Sequence, residues 1–132
     1  MIGGIVEGVG AKSMLYSHVN SRLDKLRSTD VRDTIVGHWQ SLRESVESTR
    51  DLPRPERESI AWDIAWHFSY MYTALLLALQ EQAARDQEHS QAEAKAAACR
   101  SFLLLADREI QACMTQVRNV RASVQAPTPV AG

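Results

Sequence analysis

The segment from Ile60 to Leu79, IAWDIAWHFSYMYTALLLAL, limits the folds open to this chain more than any other. It runs for twenty residues with only two side chains that charge near neutrality, Asp63 and His67. A membrane span needs about 20 apolar residues, so the length fits. The chemistry argues against it. Trp62, Trp66, Ser69, Tyr70, Tyr72 and Thr73 make the segment polar, and a charge near the bilayer centre costs about 2.5–3.5 kcal/mol on insertion. No Lys or Arg cluster marks one end as cytoplasmic. The preferred reading is a helix wrapped by neighbouring helices. Two seams support it: Ala61, Ala65, Phe68, Tyr72, Leu75 and Leu79, and beside them Ile60, Ile64, His67, Met71, Ala74 and Ala78. Two seams imply at least two packing partners.

The rest of the sequence supplies those partners. Alternating β-branched residues are almost absent, and the four prolines stand only around Arg54 and in the C-terminal tail. Leu15, Val19, Leu23 and Leu26 form an amphipathic helical face over residues 13–27. The period slips at Ser28, Thr29 and Asp30, all residues that cap helix N-termini. It resumes with Val31, Ile35, Trp39, Leu42 and Val46. DLPRPE at residues 51–56 reads as a connection and helix start, with proline in the first turn and Glu56 near the positive end of the helix dipole. Ser90-x-x-Glu93 matches a capping box. Behind it, Ala92, Ala96, Cys99, Leu103, Ala106, Ile110, Cys113, Val117, Val120 and Val124 alternate spacings of four and three, a heptad seam of mostly small residues.

The expectation is an all-α fold, an antiparallel up-down bundle of four helices, with three long helices as the rival if the chain does not turn near residue 29. Residues 1–12 are expected to be a Gly-containing apolar arm, residues 13–124 a single bundle domain, and residues 125–132 a disordered tail. Leu104, Tyr70 and Leu76 are the candidates for apolar surface left over after packing.

Charge and cysteines exclude little but point one way. A net charge of −1 with interspersed signs gives no footprint for nucleic acid, and none is expected as a partner. Cys99 and Cys113 lie on one expected helix, about 21 Å apart at 1.5 Å per residue, too far for a disulfide within the chain. That suits a reducing compartment, and with Glu7 interrupting the N-terminal apolar run there is no signal-peptide pattern, so a cytoplasmic location is expected.

No phosphate loop, HExxH, CxxC, GxSxG or ExxH pattern occurs. One constellation emerges from reflecting the chain about its expected turns. His18, His38 and His67 fall at similar heights in a four-helix bundle, with Asp63 one turn from His67, and Asp107 and Glu109 on the last helix close by. His18, His38, Asp63 and His67 could then hold a transition metal such as zinc, iron or manganese. The plainer alternative is preferred: one core histidine, His67, bonded to Asp63 or to a backbone carbonyl, and two histidines at the surface. The Trp62, Trp66 and Tyr70 stripe is likewise expected to be core rather than a pocket wall.

The functional expectation is a non-enzymatic protein that works by association with a protein partner or with itself: an adaptor, a small regulatory binder or a structural subunit. The alternative is a metal-binding four-helix bundle, an enzyme included. Reversible membrane contact through Ile2, Ile5, Val6 and Val9 ranks third.

Overall fold

A computed structural model describes residues 9–88 and 90–125. Four helices follow one another: α1, Val9–Leu23; α2, Thr29–Thr49; α3, Arg54–Asp86; and α4, Ala92–Gln125. They form an antiparallel up-down bundle, in which α3 and α4 are the most extensively packed pair. The expected tail at 126–132, the first eight residues of the expected arm and His89 lie outside the described residues.

The chain does turn before residue 29, and this excludes three long helices. The amides of Lys25 and Leu26 bond back to the carbonyls of Arg22 and Leu23, both at 3.1 Å, tightening the last turn of α1 and ending it. Ser28 is extended (φ −69°, ψ 113°), and its carbonyl accepts the first bond of α2 from the Arg32 amide at 2.9 Å. The α1 boundaries differ from expectation. The helix starts inside the glycine-containing arm and stops at Leu23, so Leu26 reaches the core from the turn, at 5% exposure.

One side chain ties this turn to α3. The Gln82 carboxamide accepts a hydrogen bond from the Arg27 amide at 2.9 Å and donates one to the Lys25 carbonyl at 2.7 Å. Arg27 also pairs with Asp86. Farther down, Trp39 of α2 donates from Nε1 to Asn20 of α1 at 3.2 Å, its ring meets Tyr16 edge-on, and the Arg43 guanidinium stacks over both rings.

The core confirms the periodicity of α2 and α4. Ile35, Trp39 and Leu42 are buried, as are Ala96, Cys99, Ala106, Ile110, Cys113 and Val117 of the heptad seam. On α3 the seam that faces inward is the second one: Ile60, His67, Met71, Ala74 and Ala78 are buried. The first seam divides. Leu75 is buried and Tyr72 and Leu79 are half-buried, whereas Ala61 and Ala65 near the α3 N-terminus are exposed. A smaller cluster of Leu52, Ile60 and Val117, with Ile64 and Val120 against it, closes the end of the bundle at the α2–α3 turn. Each fully buried Ile, Leu or Met contributes roughly 1.5–3 kcal/mol.

The two tryptophans of the aromatic stripe are not core, while Tyr70 packs against its edge. Trp62 is 74% exposed and Trp66 52%, because both lie on the side of α3 turned away from the Ile60–His67–Met71 seam. Leu104 is 73% exposed, as expected of a residue outside the α4 seam, while Tyr70 and Leu76 are half-buried.

The α3–α4 turn and one exposed glycine leave stability in reserve. Glu88 holds a left-handed conformation (φ 52°) just past α3, where glycine is favoured. Replacing Glu88 with Gly should raise stability by about 0.5–1 kcal/mol. Gly37 sits on an exposed face inside α2, and a Cβ there would meet nothing within 4 Å. Gly37→Ala should therefore add about 1 kcal/mol and raise Tm by about 3–4 °C in thermal unfolding. A fall in Tm for Gly37→Ala would contradict the open surroundings of this position.

Candidate functional site

The four residues offered by the sequence as a possible metal layer are divided between three environments. His67 is the core histidine. At 2% exposure, its Nε2 donates to the His38 carbonyl at 2.9 Å, which joins α3 to α2 in the middle of the bundle. The partner is thus a backbone carbonyl and not Asp63. A helical carbonyl already bonded within α2 has a second lone pair free for this contact. Burial pushes the His67 pKa down, opposed by the hydrogen bond to His38 and reinforced weakly by the His38 charge, so the ring is neutral with its proton on Nε2.

His38 is also inside, contrary to the surface position expected from its neighbour Trp39. Its side chain reaches across to α4, where Nε2 lies 2.5 Å from Asp107 Oδ1. Both Trp39 and His38 are buried, because α2 lies between α1 on one side and α3 and α4 on the other. Trp39 serves the first contact and His38 the second.

His18 is exposed, as expected. Its Nε2 accepts from Arg22 Nε at 3.0 Å and lies 2.7 Å from the Tyr72 hydroxyl, and Tyr72 stacks on Phe68. Tyr72 was legible only as an apolar seam member. Its hydroxyl explains how a half-buried tyrosine satisfies its polar end.

Asp63 belongs to a different place, the outer groove between α3 and α4. This groove encloses about 530 Å³ and is lined by Asp63, Trp66, Tyr70, Glu109, Ala112, Cys113 and Gln116. The Trp66 and Tyr70 rings lie 5.8 Å apart, tilted by 36°. Partial burial raises the Asp63 pKa, offset by a bond to its own backbone amide. Burial also pushes the Cys113 thiol up, and the negative charges of Asp63 and Glu109 push it further. Cys113 is therefore held as a thiol, the unreactive form, and neither it nor Cys99 is disulfide-bonded.

The structure thus joins His38 to His67 through a side-chain-to-backbone bond, places His18 at Tyr72, and places Asp63 in the groove. Among the described residues, no group of three or more His, Cys, Asp or Glu side chains is arranged to hold a metal ion. No helix of the described residues is long and apolar enough to cross a membrane. The groove could have been found from the sequence. The reflection about the α3–α4 turn that sets His67 opposite Glu109 also sets Asp63 opposite Cys113.

The neutral state of His67 has a measurable consequence. Its pKa in the fold lies below the ordinary value of 6.5, so the unfolded chain binds more protons there as pH falls through that value. Its contribution to stability is complete above that range and is lost towards the lower folded pKa. His67→Gln keeps a donor for the His38 carbonyl and cannot titrate. Urea midpoints measured between about pH 7.5 and 5 should fall more steeply for the wild type than for His67→Gln; parallel profiles would refute the assignment. Comparison with known proteins gives no match to a protein-family model, a curated protein or a solved structure, so the functional reading rests on this geometry.

Proposed function

We propose that the chain is a helical interaction module, non-enzymatic, that associates with a protein partner or with itself through the outer face of α3 and α4. The observation that carries this reading is the exposure of large apolar side chains on α3 and α4. Trp62 and Trp66 project from α3, and Leu104 and Leu105 from α4, with Leu105 at 37% exposure. Ring contacts link the two helices across this face, from Trp66 to Tyr70 at 5.8 Å and from Tyr70 to Phe102 at 6.1 Å. Single exposed apolar residues are ordinary, but two exposed tryptophans one helical turn apart, the second in ring contact with Tyr70, have the composition of an interface core. Tryptophan and tyrosine are also the residues that dominate binding energy when buried against a partner.

The histidines serve the scaffold in this reading. His67 and His38 lock α2 to α3 and α4 from inside, which keeps the outer face rigid. A rigid helical face loses little entropy on binding.

Sedimentation velocity tests the self-association arm. At about 100 µM the wild type should exceed monomer mass, and the double substitution Trp62→Ser, Leu104→Ser should weaken association by about tenfold or more while leaving helicity unchanged. A wild type that stays monomeric throughout, with an unchanged heat capacity of unfolding in the variant, would sink homo-association.

A further inference from the structure

We infer that the groove between α3 and α4 is a recognition site for an organic cation, a guanidinium or alkylammonium group. The inference goes beyond the association reading and does not depend on it.

Three features of the groove converge. It carries two carboxylates, Asp63 from α3 and Glu109 from α4, and no Lys, Arg or His lines it. Both act on the Cys113 thiol in the same sense, so their fields overlap at the groove floor. Its α3 wall is aromatic: Trp66 and Tyr70 stand one helical turn apart with their rings 5.8 Å from one another. A metal ion is a poor fit to this set, since an indole and a phenol face supply no ligand atoms for it. An organic cation suits both halves. Its charge is drawn to the two carboxylates and to the negative ring faces, and its alkyl part lies on the indole. The volume, about 530 Å³, is in the range of small-molecule sites.

Among the described residues, the one cation paired with either carboxylate is Arg108, whose Nη2 lies 3.5 Å from Glu109 Oε1. That arginine is the neighbour in sequence and its side chain is 76% exposed, so the contact is weak and readily exchanged. Asp63 has no such partner among the described residues, and its partly desolvated carboxylate gains most from an incoming positive charge. The cation can come from a free small molecule or from an arginine or lysine of an associating chain, Arg108 of a second copy included. The chemistry recognised is the same.

The probe is n-butylguanidinium chloride, titrated into the full-length protein and followed by the indole Nε1–H signals of its three tryptophans, with sodium chloride at equal ionic strength as control. The Trp66 signal, assigned with Trp66→Phe, should shift and saturate with a dissociation constant on the order of 1 mM, while the buried Trp39 signal stays in place. Asp63→Asn with Glu109→Gln should weaken binding by at least about tenfold. No saturable shift up to about 50 mM, an equal shift with sodium chloride, or unchanged affinity in the double variant overturns the inference. Should the double variant misfold, the wild-type titration alone still decides.

Two further arms identify the source and keep the association reading separate. Arg108→Gln tightens probe binding if Arg108 only screens Glu109 within its own chain; it weakens self-association if Arg108 fills the groove of a second copy. Trp62→Ser removes an apolar anchor outside the groove lining, so it lowers association and leaves the n-butylguanidinium titration unchanged.

Discussion

The small side chains at the centre of the bundle are the constraint on which the rest depends. Ala74 and Ala78 of α3 and Cys99 and Ala106 of α4 all lie in the main core, each at 6% exposure or less. Side chains this short let two long helices approach closely over much of their length, and the remaining helices must fit around that pair. The approach also fixes what is left outside. With the small residues turned inward, Trp62 and Trp66 fall on the opposite side of α3 and stand on the outer face. Close packing inside and aromatic exposure outside are therefore one fact seen from two sides.

The polar interior is sparse and follows from the same geometry. One histidine, His67, occupies a position in the inward seam of α3 that its neighbours fill with Ile60, Met71 and Ala74. A hydrocarbon side chain would serve the packing there. The imidazole adds direction, because its single N–H must find an acceptor in a place without water. It finds the His38 carbonyl, and His38 in turn extends to Asp107. Three helices are thus held in one rotational setting by two polar contacts, while apolar burial supplies the bulk of the cohesion.

Fold and site were legible to different degrees, and particular residues show why. The α4 seam was readable because a spacing of four and three needs no tertiary information: from Ala96 to Val117 the expected inward positions are buried or half-buried. The turn before residue 29 was readable because Ser28, Thr29 and Asp30 break the period with residues that favour caps. The α3 orientation was not, because an apolar stretch with two adjacent seams does not reveal which one faces the partners. That ambiguity moved Trp62 and Trp66 from an expected core to the surface. His38 was misjudged for a related reason. Its neighbour Trp39 fits the α1 contact, and a helix packed on two sides buries adjacent residues together. The groove around Asp63 was within reach of the same turn position, but spacing alone does not show that α3 and α4 leave a cleft there.

The hold of Gln82 on the α1–α2 turn has a consequence for how copies of this chain can exchange parts. α1 is the shortest helix and the least tightly embedded, and its link to α2 is held by the burial of Leu26, by one carboxamide of α3 and by the Arg27–Asp86 pair. Were that fastening undone, residues 24–28 could straighten into a single rod continuous from α1 into α2. The rod would carry Val19 and Leu23 away from their own core and offer them to the vacated slot of a second molecule, which would return its own first helix in exchange. Gln82, with the Arg27–Asp86 pair, thus opposes the straightening that such an exchange would need.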